Sequence, residues 1–525
     1  MSDYFDTGHL LTDLKKRAVR GAGFTVLSQA STFLMHIVST VVLARLLTPD
    51  DFGLVAMVVT FSLLLQNVGL NGFTEAIMQK EALDQRLVST LFWINIAISL
   101  GLTLLFMAAA PVLSWLYQEP RVQPIAIGVA LSIIFTGLAN IHAALLKRTM
   151  EFKVTSAIFF AARTVGFLLA IALAWMGWGY WALVINTVAQ PLVYAVCAWT
   201  FCSWRPGLPA RNTGVRSMVV YALHVYGNFF LNYSSRNADI FLVGRYFGAV
   251  SLGFYKKAYD IFALPVNQLT APLTDVALST LSRLTGEPER YRRYYLDAVS
   301  ILAFIGMALS LLLTVNAHDL ILLILGPQWT SSADIFMYFG PGVGIMLIYY
   351  TNSWLSLSLG RADRLFRWGF VELVVTVLSF VIGMPFGPAG VAAAWTVSFY
   401  LLTGVGLWYA GKPIQITFGA VLAAIWKYAV SALVAGAASY HLFRSVDAIA
   451  GPFGNLNIAV RIMLSGTTGL SLYLLAILAL YGGTSQIARL LSLAQDLAPS
   501  WMNLRRSKER VAEEAKSVFL KSSSS

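Results

Sequence analysis

Apolar residues run along this chain in long blocks that end at charged residues or at Pro/Gly turns. Fourteen blocks are long enough for membrane helices, with limits near 22–44, 52–71, 88–116, 122–145, 154–176, 178–202 and 218–246, then 249–275, 294–316, 334–358, 366–386, 388–410, 418–442 and 460–482. A spanning helix needs about 20 apolar residues, so each block predicts one crossing. The eighth is the least apolar, because Lys256, Lys257 and Asp260 interrupt it. Gly177-Trp178-Gly179 joins the fifth block to the sixth and Gly387-Pro388 the eleventh to the twelfth, and both joints read as tight turns closing helical hairpins.

Charge gives the blocks a direction. Of 37 Lys and Arg residues, 27 fall in the N-terminal segment, in alternate loops and in the C-terminal tail. Five lie on the opposite side (Arg45, Arg121, Arg245, Arg444, Arg461) and five inside blocks. Basic residues collect on the cytoplasmic side, which predicts an even number of spans with both termini in the cytoplasm. With 58% hydrophobic and 12% charged residues and a mean hydropathy of +0.69, the chain stands far from soluble domains, which carry about 25% charged residues. No polar block of ~100 residues exists to build an extramembrane catalytic domain. The net charge of +12 then reads as basic cytoplasmic loops rather than a nucleic-acid surface. Cys197 and Cys202 share one apolar block and read as small membrane residues, with no disulfide or thiolate metal site. No small-residue cleavage site follows the first block, so no cleaved signal peptide is expected. HExxH, Walker, GxSxG and His/Cys patterns do not occur, so no metal, nucleotide or catalytic site is expected.

An internal repeat is visible in paired spacings. Arg45 precedes Gly53 by eight residues and Arg245 precedes Gly253 by eight, 200 residues later. Arg148 leads Gly177 by 29 and Arg361 leads Gly390 by 29. The expected organisation is a cytoplasmic segment (1–20), an N-terminal lobe of helices 1–6 (21–202), a basic linker (203–217), a C-terminal lobe of helices 7–12 (218–410), two extra helices (411–483) and a basic amphipathic tail (484–525), disordered at Lys521–Ser525. Gly53 and Gly253 are expected to permit inter-helix turns, and Arg45 and Arg245 to anchor helix ends at the headgroups.

Polar groups inside a membrane are expensive, so their placement carries functional meaning. Gln29, Thr32, His36 and Ser39 recur along the first block; Asn67, Asn71 and Glu75 along the second; Tyr221, His224, Asn228, Asn232, Arg236 and Asp239 along the seventh. Steps of three and four residues put each set on one helix face. Interhelical hydrogen bonding is the structural alternative for such stripes. Counted inward from the turn near 246–249, Asp239 and Lys256 lie at one depth, and Arg236 and Asp260 at a second. Neighbouring helices would pair them, leaving Lys257 as a surplus cation in a net positive cluster suited to an anionic substrate group. Arg163, in the middle of the fifth block, reads equally as a cavity residue or a structural partner. Lys427 snorkels, Glu372 lies within two turns of the inner loop, and His142 and His441 read as packed or interfacial.

The run from Leu43 to Leu54 (LARLLTPDDFGL) resembles the "ARLLTPxDFG" signature that joins the first two helices of polysaccharide transporters, and the run from Ala144 to Lys153 (ALLKRTMEFK) resembles a second signature before the fifth helix. Over residues 15–485 the chain is similar to Wzx-type lipid-linked oligosaccharide flippases, a polysaccharide transporter branch of the multidrug/oligosaccharidyl-lipid/polysaccharide exporter superfamily, and within it to exporters of colanic acid, xanthan or succinoglycan repeat units. That resemblance implies a two-lobed, V-shaped bundle working by alternating access in the bacterial inner membrane. It implies an undecaprenyl-pyrophosphate-linked oligosaccharide as substrate, and a cavity between helices 1, 2, 7 and 8 in which cations hold the pyrophosphate. Arg236, Lys256 and Lys257 are then the candidate cations, with Asp239, Asp260, Asn228, Asn232, Gln29, His36, Asn67, Asn71, Glu75 and Arg163 around them.

Three other functions compete. A cation-coupled multidrug or toxin antiporter of the same superfamily would favour acidic intramembrane residues. A membrane polysaccharide polymerase or ligase would need a sizeable outer loop, and the longest, about 443–459, carries only Arg444 and Asp447 as charges. A scaffolding protein leaves the midplane charges unexplained. The expectation is therefore a transporter rather than an enzyme, an all-α polytopic membrane protein without metal or bound cofactor. A proton or sodium gradient is the candidate coupling source, a polysaccharide polymerase and a chain-length regulator are candidate partners, and no nucleic acid is involved.

Overall fold

A backbone surrounded by lipid must satisfy its N–H and C=O groups internally, which only helices or closed barrels achieve. The structure, a computed structural model, describes residues 14–79, 83–210, 215–450, 457–484 and 489. Within them the side chains of Gln29, Asn71, Glu75 and Asn228, among others, lie outside the description, as does the C-terminal tail beyond Arg489. The described residues are helical, without strands. The helices are α1 (Leu14–Leu46), α2 (Pro49–Gln79), α3 (Gln85–Tyr117), α4 (Val122–Arg148), α5 (Phe152–Trp175), α6 (Tyr180–Phe201), α7 (Val215–Arg283), α8 (Pro288–Val315), α9 (Ala317–Leu325), α10 (Thr330–Phe339), α11 (Gly342–Tyr349), α12 (Thr351–Ser358), α13 (Ala362–Gly383), α14 (Gly387–Gly411), α15 (Phe418–Ala450) and α16 (Ile458–Tyr481).

All fourteen apolar blocks lie on helix to within a few residues. By length and composition alone, nine stretches among the described residues are able to cross a membrane, or ten if the bent pair Pro327–Phe339 and Gly342–Ser358 is one span. The lower figure has physical sources. α13 and α14 merge into one stretch, Asp363–Ile414, and the apolar part of α1 shortens to Ala30–Leu46. Both arms of α7 carry the polar residues that lower their hydropathy. The block at 334–358 is not a straight helix: it bends by 53° where Pro341, lacking an amide hydrogen, follows Gly340.

Turns form where the sequence places glycine at positive φ. Gly177 (φ 80°), Gly179 (φ 53°) and Gly387 (φ 75°) make the two hairpin joints. Within α7 the helical path breaks at Gly248 (φ 79°, ψ −179°), dividing it into arms of residues 215–247 and 249–283. Gly53 and Gly253 make no turn, contrary to expectation: each lies inside a helix. A Cβ at Gly53 would clash with the carbonyl of Ala249, and one at Gly253 with that of Pro49. The repeated glycines thus face one another across a helix crossing whose backbones touch.

Helices α1–α6 form one packed group and α7–α14 another, joined by extensive packing of α2 along α7, while α15 and α16 lie against α8. Apolar aromatics hold the second group, with Phe262 edge-on to Trp395 at 4.8 Å and stacked on Phe339 at 5.3 Å. Residues 202–210, between the groups, are strapped to the start of α3: Trp204 Nε1 donates to Gln85 Oε1 (2.6 Å), the Gly207 amide to Ser89 Oγ (2.9 Å) and Trp93 Nε1 to the Gly207 carbonyl (2.9 Å). α16 is tied down by Arg461 Nη2 on Asp319 Oδ1 (2.6 Å) and by the Tyr473 hydroxyl on the Phe304 carbonyl (2.8 Å). In the α3–α4 turn Arg121 bridges Asp50 (2.6 Å) and Glu119 (2.9 Å), and holds the Glu119 carboxyl below the usual carboxylate range.

The Gly248 kink needs a backbone region that only glycine occupies without strain, at a cost of roughly 1–3 kcal/mol for other residues. Gly248→Ala is expected to lower the unfolding midpoint of the detergent-purified protein by a few degrees. An unchanged midpoint would show that the kink is not fixed by this residue.

Candidate functional site

The two helix groups meet along α2 and α7, and they are sealed together at the end that carries the α1–α2 turn and the α7 kink. A helix C-terminus leaves carbonyls without partners, and here each group supplies the other's. Gln328 Nε2 donates to the carbonyls of Ala44 (2.5 Å) and Leu47 (3.2 Å), and Trp329 Nε1 donates to Ala44 (2.8 Å). In return Arg45 Nη2 donates to the Leu323 carbonyl at the end of α9 (3.3 Å). Arg45 therefore caps a helix of the opposite group rather than acting only as a headgroup anchor. Phe52 fills the seam, 5.5 Å from Trp329 and with Lys257 Nζ 3.9 Å above its ring.

Below the seam, the α7 charges adopt other pairings than depth alone suggests. Lys256 pairs with Asp260 one turn along its own helix, the favoured i,i+4 geometry. Asp239, almost fully buried, accepts from the Ile240 amide (2.8 Å) and from the Tyr255 hydroxyl (2.7 Å). Arg236 donates to the Tyr350 hydroxyl and lies 3.9 Å from Glu372. The expected Asp239–Lys256 and Arg236–Asp260 pairs are absent from the ion pairs of the described residues, because equal depth does not fix rotation about the helix axis. Glu372, expected near the inner loop, is a buried partner in this group, where Tyr349 donates to its other oxygen (2.7 Å) and Trp368 to Tyr349 (2.9 Å). With Glu372 counted, three acids face three bases, and the cluster is not net positive.

Lys257 joins no ion pair among the described residues and packs on Phe52, and a further cation of this kind lies elsewhere. A cavity of about 910 Å³ lies between α1, α4, α5 and α6, with the tip of α2 and Gln268 of α7 also lining it. Thr32, His36, Arg163 and Gln190 line its interior, and Lys147 and Phe152 lie at the α4–α5 turn. Arg163 takes part in none of the ion pairs of the described residues. Its Nε is buried without a hydrogen-bond partner among them, as is Thr32 Oγ1. The ring of Phe159 lies 4.7 Å from the Arg163 guanidinium carbon. His36 of α1 lines the same cavity as Arg163. A second, smaller cavity of about 270 Å³ is lined by Phe229, Asn232, Tyr233, Arg236 and Asn237.

His36 and Arg163 thus share the large cavity and Asn232 and Arg236 the small one, while Lys256 and Asp260 line neither. Asp239 and Lys257 are buried outside both. Asn67 donates back to the Leu63 carbonyl of its own helix (2.7 Å) and lines neither. Gln29, Asn71, Glu75 and Asn228 fall on side chains outside the description. Tyr350, Gln268 and Lys147 carry no signal in the sequence that singles them out. Among the described residues no group of His, Cys, Asp and Glu side chains gathers to hold a metal.

A polytopic helical bundle with polar cavities buried between its helices has the architecture of a membrane transporter. Residues 42–334 match the family described as "Polysaccharide biosynthesis protein", and the chain belongs to that family. It is 24% identical over 480 residues to the teichuronic acid biosynthesis protein TuaB of Bacillus subtilis (strain 168), covering 90% of this chain and 98% of that one. It is 24% identical over 392 residues to the succinoglycan biosynthesis transport protein ExoT of Rhizobium meliloti (strain 1021), covering 74% and 79%. Its fold is similar to that of the lipid II flippase MurJ in an inward closed conformation, with a TM-score of 0.70 at 13% identity over 88% of this chain and 99% of that one.

The seam yields a test. In a background lacking Cys197 and Cys202, cysteines at Leu47 and Gln328 should cross-link readily. Adding Gly53→Val, which forces α2 off α7, should reduce that yield severalfold. An undiminished yield would show that closure does not depend on the glycine crossing.

Proposed function

We propose that this protein is a flippase that moves undecaprenyl-pyrophosphate-linked oligosaccharide repeat units across the bacterial inner membrane by alternating access, for exopolysaccharide or lipopolysaccharide biosynthesis. The observation that carries the reading is Arg163, a guanidinium at mid-helix in a cavity with no protein counter-charge among the described residues. Leaving a buried charge uncompensated costs several kcal/mol, so such a site favours an anionic guest. A pyrophosphate has the matching requirement: lipid cannot solvate it, and Arg presents a donor fork suited to phosphate oxygens.

The path is graded. Lys147 stands at the mouth, and Arg163, eleven residues along α5 from Phe152, lies ~16 Å deeper. Lys256 comes next, held by Asp260 so that the headgroup meets a partly neutralised cation and is not trapped. Arg236, Lys257 and Asp239 hold helices in place. With both termini in the cytoplasm, the mouth faces the cytoplasm and the Gly53–Gly253 seam closes the outer side. TuaB and ExoT, by their names, serve polysaccharide biosynthesis, which supports this assignment over a drug antiporter, as does a cavity centred on arginine rather than a carboxylate. A proton or sodium gradient drives the return step, and a polysaccharide polymerase and chain-length regulator receive the product.

Arg163→Ala should lower polymer export in cells about tenfold or more, the scale of ~1.4 kcal/mol, with unchanged membrane abundance. Arg163→Lys should keep part of it. Intact export in Arg163→Ala would sink the reading. By contrast, Arg236→Leu should reduce folded protein, because Glu372 loses its partner at ~3–5 kcal/mol, and adding Glu372→Gln should restore abundance. Equal abundance of all three would show that the pair is not structural.

A further inference from the structure

The small cavity differs from the large one in the sign of its chemistry. On the first arm of α7, Tyr226, Phe229 and Tyr233 follow at steps of three and four residues and so share one face. Their rings are stacked, 6.2 Å apart for Tyr226 and Phe229 and 5.4 Å for Phe229 and Tyr233, each pair inclined by 30°. The tyrosine hydroxyls donate to carbonyls of α2, Tyr226 to Leu64 (3.2 Å) and Tyr233 to Thr60 (2.8 Å). Those bonds fix the ring planes. Asn237 Nδ2 donates to the Tyr233 carbonyl (2.8 Å), and its Oδ1 has no partner among the described residues, which leaves an acceptor and a second amide hydrogen. Asn232 adds another amide to the lining. The one cation, Arg236, is already engaged by Tyr350 and Glu372.

Fixed aromatic faces, amides at the edge and a compensated charge suit a ligand with an apolar C–H face and hydroxyl edges. A phosphate would need a surplus cation, a cationic drug a free carboxylate, and a polyprenyl chain no amides. At about 270 Å³ the pocket is below the ~300–1,000 Å³ of sites for drug-sized ligands, which limits it to about one ring. We infer that the pocket formed by Phe229, Tyr233, Asn232 and Asn237 on α7 is a subsite for a neutral sugar ring of the transported glycan, separate from the phosphate site at Arg163. Lys256 Nζ, on the second arm of α7, lies 5.7 Å from the ring of Tyr259 and lines neither pocket. The subsite deepens the flippase reading and rests on it.

The test uses full-length protein in nanodiscs, with methyl glucoside, methyl galactoside and N-acetylglucosamine as sugar probes, read by saturation-transfer NMR. Inorganic pyrophosphate is the anionic probe, read by phosphorus line width. At least one sugar should receive saturation from the wild type. Phe229→Leu and Asn237→Leu should weaken its binding about tenfold, with pyrophosphate affinity unchanged within about twofold, while Phe229→Tyr, which keeps the ring, retains the sugar. Arg163→Ala should do the reverse. A wild type that binds no sugar, or sugar binding indifferent to both leucine variants, overturns the subsite. Sugar binding without pyrophosphate binding supports the subsite and overturns the anionic assignment of the large cavity.

Discussion

A cation held in the interior of a membrane bundle is stabilised by a counter-charge, either from the protein or from a guest, and that constraint sorts this molecule into scaffold and site. Arg163 and Arg236 sit at comparable places, each in the interior of a membrane helix. Arg236 has a carboxylate, a phenol and an aromatic face around it, with the ring of Tyr350 4.7 Å from its guanidinium, and the carboxylate is oriented by Tyr349 and Trp368 in turn. Arg163 has a phenyl ring and a cavity. The same residue type is therefore structural in one setting and receptive in the other, and the sequence alone does not distinguish them.

The seam obeys a related constraint on the backbone. Opening it exposes carbonyls of Ala44, Leu47 and Leu323 that lose their donors from the opposite group. The four hydrogen bonds of the seam, apart from those of Tyr226 and Tyr233 to α2, at ~0.5–1.5 kcal/mol each sum to a few kcal/mol. Inverting a two-state equilibrium from 1:99 to 99:1 takes about 5.5 kcal/mol of differential binding. The closure is thus of a strength that a charged guest with unequal affinity for the two states can overcome. A more extensive polar seal would lock the bundle, and apolar contact alone would specify register less well. Gly53 and Gly253 set how near the two backbones come, and hence whether Gln328 and Trp329 reach their acceptors.

Much of the architecture is legible in the sequence because hydropathy acts locally. Block limits became helices, and Gly177, Gly179 and Gly387 became turns, since positive φ is a property of one residue and its neighbours. The Arg45/Gly53 and Arg245/Gly253 match pointed to two corresponding places. It misread their role, because a glycine for close crossing and one for a turn look alike until the partner helix is known. Depth counting placed Asp239 beside Lys256 and Arg236 beside Asp260, yet depth is one coordinate and pairing needs the azimuth as well. Glu372 could not be assigned from its own surroundings in sequence, since its partner lies more than a hundred residues away on α7.

These azimuths also determine electrostatic balance across the interior. Had Arg236 paired with Asp260, Lys256 would be left to Asp239, and Glu372 would be a buried carboxylate without a cation, the arrangement that attracts cationic guests. By taking Glu372, Arg236 removes that possibility and leaves Asp260 to moderate Lys256. The α7 cluster thereby balances three acids against three bases, while Arg163 lines the first group's cavity without an ion pair among the described residues. A guest with an anionic head and a neutral body is then oriented by the asymmetry alone: its charge is drawn to the first group, while the neutral body meets no electrostatic penalty against the second.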